Sequence, residues 1–388
     1  LREGHGALLY DEAAQHAAQQ RLLAPDLILP PDSTLPNSHP PYESLFAAAF
    51  GDAPIAVPFA AWTLLELLSV AAALWLLARS TPLAPTARWL AILGALAYQP
   101  LHALLLTGQS STLVLLGLVG LYAALKADRQ GWAGVALALL LIKPQLALPI
   151  LLLLLLSRAW RPLLIAGAIH AALAVAVMPL LGIAWPLSYL RYLAGSRHWD
   201  HRMFEHAPLM HNWRSLAAHL IEPVAPALAS PAVTLLTALS VALLAWAWWR
   251  QRPNFHQPPP SIGGPRIALT DLLWALATIV TILIAHHLYI HDLTLLIFPA
   301  WLMVAGATAT GWPHPRLWLA LATIGSLLPI VTAALAQRQW QISLPSIALL
   351  ATTALALAWT ILHPSPGRAD PPPPPPTPPP TAHLMNPS

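Results

Sequence analysis

Residues 131–157 read Gly131-Trp-Ala-Gly-Val-Ala-Leu-Ala-Leu-Leu-Leu-Ile-Lys143-Pro144-Gln145-Leu-Ala-Leu-Pro149-Ile-Leu-Leu-Leu-Leu-Leu-Leu156-Ser157. Two apolar runs meet at Lys143-Pro144. As one long span the stretch would hold a lysine at membrane depth, which costs about 2.5–3.5 kcal/mol unless the charge is solvated or paired. As two short helices it would turn at Pro144, which cannot continue the preceding helix. The freed backbone groups are then tolerable where they line a polar cavity.

The flanking apolar blocks decide between these readings. A spanning helix needs roughly 20 apolar residues. Such blocks occur at about 54–78, 88–107, 110–126, 162–183, 231–249, 268–286, 293–311, 317–336 and 345–362. Lys and Arg concentrate in short cytoplasmic loops. With residues 1–53 outside and 131–157 as a hairpin, the inner loops hold Arg79, Arg88, Lys126, Arg129, Arg158, Arg161, Arg250, Arg252, Arg266, Arg316 and Arg368. These are 11 of the 19 basic residues. A single span would reverse every later loop and move Arg250, Arg252 and Arg266 outside. The hairpin is therefore the preferred reading. It predicts an all-α polytopic membrane protein with about nine full spans and a re-entrant helical hairpin at 131–157.

Composition agrees. Of 388 residues, 57% are hydrophobic and 9% charged, against about 25% charged in an ordinary soluble domain. So few charges do not cover a soluble surface. The formal charge of +4 is spread over short loops, which speaks against a nucleic-acid partner. There is no cysteine, so the sequence offers no argument for a redox compartment, a disulfide or a thiolate metal site.

The chain divides into an extracytoplasmic segment (1–53), a transmembrane domain (54–363, with an external loop at 184–230) and a Pro-rich tail (364–388) expected to be extended. It begins at Leu1, and residues 1–30 carry no apolar signal region. The native N-terminus is expected further upstream.

Under this topology the unusual polar residues fall on one half of the membrane. Lys143 offers a point charge to a phosphate or pyrophosphate; a lysine snorkelling from a single helix is the plain alternative. His286-His287-Leu-Tyr289-Ile-His291-Asp292 lies between two apolar blocks. His287 and His291 share a face if the helix continues. Here histidine can donate to a phosphate or sugar while Asp292 orients it or accepts a proton. Two histidines and a carboxylate also suit a metal, although none is expected. The 184–230 loop holds His198, Asp200, His201, Glu205, His206, His211, Asn212 and Arg214. Its spacing fits no tight ligand set, but Arg214 can clamp a phosphate. Gly108-Gln109-Ser110 opens a block where backbone N–H groups can face an anion. Glu66 and His170 are mid-span without evident partners. Asp271 is explained as a helix-dipole cap.

The order Gln99-Pro-Leu-His-Ala-Leu-Leu-Leu-Thr-Gly108-Gln109, Ala133-Gly134, Ile142-Lys143-Pro144, then Arg158 and Arg161, resembles the family-87 glycosyltransferases, GT-C-type membrane enzymes. Leu9-Tyr10-Asp11, His39-Pro40-Pro41-Tyr42, Asn212-Trp-Arg-Ser215-Leu216 and Tyr289 through Asp292 agree with it, over roughly residues 4–312. The resemblance implies a polyprenyl-phosphate sugar donor, commonly mannose, and a lipid or glycan acceptor. It also implies transfer with inversion on the outer face of a bacterial-type plasma membrane, without cofactor. Its carboxylate base usually precedes the Gly…Tyr-Asp stretch, and is thus expected upstream of Leu1.

The resulting expectation names Asp292 and His287 as catalytic, and Lys143, His286, Gln109 and Arg214 as binding the donor phosphate. Asp11, Tyr10, Asn212 and Tyr289 would form the acceptor and sugar rim. A transporter or flippase of lipid or sugar is the competing class. It would move substrate without forming a covalent product.

Overall fold

A computed structural model describes residues 6–23, 28, 40–51, 53–195, 210–251, 265–308, 316–317, 319–321, 323–324 and 343–362. All regular structure among them is helical. The α-helices are α1 (Glu12–Leu23), α2 (Pro41–Ala48), α3 (Ala56–Ser80), α4 (Pro85–Leu96), α5 (Gln99–Thr107), α6 (Ser111–Lys126), α7 (Gln130–Leu140) and α8 (Pro144–Leu156). They continue with α9 (Trp160–Leu181), α10 (Trp185–Gly195), α11 (Trp213–Leu220), α12 (Pro226–Gln251), α13 (Pro265–Ile284), α14 (Ile297–Thr308) and α15 (Ser343–Leu362). A 3-10 helix, Ile290–Leu296, leads into α14.

Four segments are long and apolar enough to cross a membrane: Ala56–Ser80, Trp160–Leu181, Pro226–Gln251 and Ile290–Thr308. A fifth results if α4 and α5, bent by 44° at their junction, count as one. The expected nine full spans are thus not all full length. The block at 88–107 breaks because Pro100 opens α5 and cannot continue α4. The block at 110–126 yields only the 16-residue α6. The expected 317–336 span lies mostly outside the described residues, as does the Pro-rich tail.

The hairpin is present. Helix α7 ends at Leu140 and α8 begins at Pro144, with Lys143 as its N-cap residue. Asp128, Gln130 and Gly131, at the start of α7, and Arg158, Trp160 and Arg161, after α8, line one cavity. A straight helix over the 27 residues 131–157 would hold its ends about 40 Å apart. At 11 and 13 residues, neither arm alone crosses a hydrocarbon core of about 30 Å.

Small residues let the hairpin pack tightly. A Cβ added at Gly117 of α6 would collide with the backbone of Leu140, and one at Gly134 of α7 with Ile165 of α9. Below these contacts an aromatic cluster fills the centre. The Tyr122 and Phe298 rings lie 5.3 Å apart and the Trp274 ring is 5.9 Å from Tyr122. Tyr122 donates to Asp271 Oδ1 (2.7 Å), and Lys126 lies 3.4 Å from the same oxygen. Asp271 is therefore the buried partner of Lys126, rather than a helix cap.

The two ends of the bundle differ. Trp248 on α12 donates to Ser157, and Gln251 donates to the carbonyl of Ile361 (2.7 Å). With the cavity that joins the 128–131 turn to Arg158 and Arg161, these bonds gather Lys126, Arg129, Arg158, Arg161 and Arg250 at one end. The exposed tryptophans Trp75, Trp89, Trp132, Trp160, Trp246, Trp249 and Trp359 lie on the helix turns next to that end. Tryptophan favours the membrane–water interface, so the bundle carries an aromatic belt beside its basic end. Between the ends, Leu68, Leu93 and Leu239 are exposed, as a lipid-facing surface requires.

Candidate active site

At the other end the tip of the hairpin meets α6 and the 3-10 helix. Lys143 is buried (4% exposed). Its ammonium donates to Ser111 Oγ and to Asp292 Oδ1, both at 2.8 Å. Ser111 Oγ donates to the same carboxylate oxygen. The other oxygen, Oδ2, accepts from the Tyr289 backbone N–H (3.4 Å) and lies 3.5 Å from His291 Nε2. Asp292 is thus surrounded by donors. An ammonium has three donors, and two of those on Lys143 are engaged among the described residues.

A second group adjoins the first. Asn212 Oδ1 accepts from Ser215 N–H at the start of α11, and its amide donates to the Ala285 carbonyl (2.7 Å). His211 N–H reaches the Leu288 carbonyl (3.3 Å). Asn212 therefore holds α11 against the segment after α13. Arg214, one residue into α11, places Nη1 2.7 Å from His286 Nε2 and 3.3 Å from the His286 carbonyl. Arginine has only donors, so His286 accepts. Tyr289 joins the groups, lying within electrostatic reach of both Arg214 and Asp292. Burial raises its phenol pKa, and Arg214 partly opposes the rise. Burial pushes the His211 imidazole down to about 4.

A third group lines the same end. Tyr10 stacks at 5.0 Å on Tyr189 and 5.4 Å on Tyr192. Tyr192 donates to Gln15 Oε1 (3.1 Å). Burial is the main cause that raises the Tyr10 and Tyr42 phenol pKa values and puts Tyr189 near 12. Tyr42 OH lies 3.4 Å from His170 Nδ1, while His170 Nε2 lies 3.0 Å from the Ala138 carbonyl. Nε2 must then carry the proton, leaving Nδ1 to accept from the tyrosine. Next along α2, Glu43 Oε1 accepts from Ser110 Oγ (3.5 Å), tying this group to the start of α6.

Several sequence expectations change. The helix does not continue through 286–292, so His287 and His291 share no helical face. The ring of His287 instead meets that of His286 edge-on at 4.8 Å. Gly108 adopts a left-handed conformation (φ +64°) that ends α5. The Gln109 N–H turns back to the Leu104 carbonyl (3.4 Å) and is not presented to an anion. Asp11 is exposed and caps α1, accepting from Ala14 N–H (2.8 Å). Glu66 and His170 do have partners; Glu66 accepts from Trp62 Nε1 (3.1 Å). His198, Asp200, His201, Glu205 and His206 lie outside the described residues. Among the described residues no three His, Cys, Asp or Glu side chains converge as a metal site.

Ser111 and Glu43 were not singled out from sequence. Ser110-Ser111-Thr112 at the head of an otherwise Leu- and Val-rich block was the available signal.

These features define a polytopic helical membrane protein with the buried Lys143–Asp292 pair and its hydrogen-bonding neighbours at one end, opposite a basic, tryptophan-belted end. The chain belongs to glycosyltransferase family 87, whose family model matches residues 38–263, and it is a membrane glycosyltransferase. The matched region contains Gln109, Lys143, Asn212 and Arg214; Tyr10, Asp11 and residues 286–292 lie outside it. No curated protein and no solved structure matches the chain.

Proposed function

We propose that the protein transfers a hexose, with mannose the first choice, from a polyprenyl-phosphate donor to a lipid or glycan acceptor, with inversion. Transfer takes place at the Lys143 end, on the extracytoplasmic face of a bacterial-type plasma membrane. The observation that carries this reading is the buried Lys143–Ser111–Asp292 cluster at the hairpin tip.

Departure of a phosphate leaving group builds negative charge, and fixed donors aimed at that charge supply most of the stabilisation. Lys143 provides such a cation, with its third N–H for a phosphate oxygen. Arg214, with His286 and His287, supplies further donors. Asp292 accepts from so many groups that its basicity is spent on them. Its role in this reading is to hold Lys143 in place and to make the buried charge tolerable, rather than to take the acceptor's proton. That proton goes to a carboxylate, as general-base catalysis requires. Glu43, beside Ser110 and partly exposed, is a second carboxylate at the same end. Tyr10, Asn212, Tyr289 and Asp11 form the rim.

The test is product formation. Membranes carrying the full-length protein would be given a radiolabelled polyprenyl-phosphate mannose, and lipid and glycan fractions would be separated. A labelled covalent product that disappears in Lys143→Ala is expected. Donor that crosses sealed vesicles without any covalent product would instead favour a transporter.

A further inference from the structure

The basic end contains a cavity of about 620 Å³ lined by Asp128, Gln130, Gly131, Arg158, Trp160 and Arg161. It lies at the foot of the hairpin, at the far end from Lys143, and the proposed transfer makes no use of it.

Two similar turns build the cavity. Two residues past the end of α6, Asp128 adopts φ +53°, and two past the end of α8, Arg158 adopts φ +54°. In each turn the following N–H reaches back past the helix end: Arg129 N–H to the Ala124 carbonyl (2.8 Å), and Ala159 N–H to the Leu154 carbonyl (2.9 Å). Glycine usually occupies this left-handed position, where a side chain costs roughly 1 kcal/mol. Here an aspartate and an arginine stand in it, and both line the cavity.

The chemistry of the lining is that of an anion site. Arg158 and Arg161 both line it, and among the described residues neither is ion-paired. The N-termini of α7 and α9 open onto the same space, and neither first turn contains an acidic residue. Such helix ends favour anions. Asp128 opposes an anion, but Gln130 Nε2 donates to its Oδ1 (2.9 Å). Trp160 lines the cavity and Trp132 follows it on α7; both belong to the tryptophan belt, which puts the cavity at headgroup depth.

We propose that this cavity binds a phosphate-bearing anion, the headgroup of an anionic phospholipid in the leaflet at the basic end. Basic pockets between helices on the cytoplasmic side bind such headgroups. The proposal is independent of the sugar and acceptor assigned above, and requires only the membrane orientation that the basic loops and tryptophans define.

Thermal unfolding of the full chain in detergent would be followed with phosphatidylglycerol, phosphatidylcholine or inorganic phosphate, alongside lipid retention by native mass spectrometry. Phosphatidylglycerol is expected to raise the melting temperature and to be retained, while phosphatidylcholine does neither. Arg158→Gln with Arg161→Gln should weaken retention on the order of tenfold. Asp128→Asn should strengthen it. A shift with inorganic phosphate that the double variant abolishes would keep the anion site and assign its ligand to solution. Equal retention of both lipids, or retention unchanged in the double variant, would overturn the proposal. Both arginines are exposed, so the double variant should melt like the parent in lipid-free detergent. If it does not, the Asp128→Asn comparison carries the test.

Discussion

Lys143 Nζ lies 2.8 Å from Asp292 Oδ1, although 149 positions separate the two residues in sequence. Each makes the burial of the other tolerable. Removing one partner of a buried pair strands the other charge and costs about 3–5 kcal/mol, whereas replacing both by apolar groups of similar volume is often neutral. Asp292→Ala and Lys143→Ala should each lower the melting temperature strongly. Lys143→Met combined with Asp292→Leu should recover most of that loss but none of the transfer. If the double variant is stable and active, the charge pair has no role in the reaction.

Asn212 has two separable tasks: capping α11 through Oδ1 and holding the Ala285 carbonyl through its amide. Asn212→Ala should cost about 1–3 kcal/mol, from loss of the cap and an unpaired carbonyl. Asn212→Asp keeps the cap and loses the amide donor. It should therefore melt between the parent and the alanine variant, and melting curves in one detergent would rank the three.

The low His211 pKa sets a pH dependence. The folded imidazole titrates near 4 because burial disfavours its charged form, while the unfolded one titrates near 6.5. Between these values the unfolded chain binds a proton that the folded chain refuses. Stability from this group is therefore complete above pH 6.5 and falls as the pH drops towards 4. Replacing His211 by Gln should flatten that part of a melting-temperature profile against pH. An unchanged slope would show that other groups govern it.

Gly117 tests the helix contact that shapes the hairpin. A side chain there meets Leu140 backbone, which cannot rotate away. Gly117→Val should destabilise by about 1–3 kcal/mol and also reduce transfer, because α7 carries the tip that holds Lys143. Gly131 has open space around an added Cβ, so Gly131→Ala should leave both stability and transfer near those of the parent.

Much of the architecture was legible as one-dimensional pattern. Apolar blocks of span length, basic residues in alternate loops and Lys143-Pro144 between two apolar runs were enough to predict the hairpin. Helix lengths were less legible. Hydropathy counts residues, but Pro100 interrupts the backbone inside a block that remains apolar on average.

The site was legible as a set of residue types, and much less as a set of partners. Lys143 stood out because a charge at membrane depth is costly, His286 and Asp292 as a polar turn between apolar blocks, Arg214 as a phosphate clamp and Asn212 through the family resemblance. That Lys143 pairs with Asp292, that Arg214 meets His286, and that Ser111 and Glu43 join the site depend on helices far apart in the chain.

The sequence by itself determined that the protein lives in a membrane, runs its helices up and down and turns at Lys143. Burial of apolar length and exclusion of charge are properties of single segments. Only the tertiary structure decided which buried charge neutralises which, because that depends on how α6, the hairpin and the 3-10 helix at 290–296 pack. It also decided that Arg158 and Arg161 face one cavity, since two turns 30 residues apart come together only when the hairpin closes.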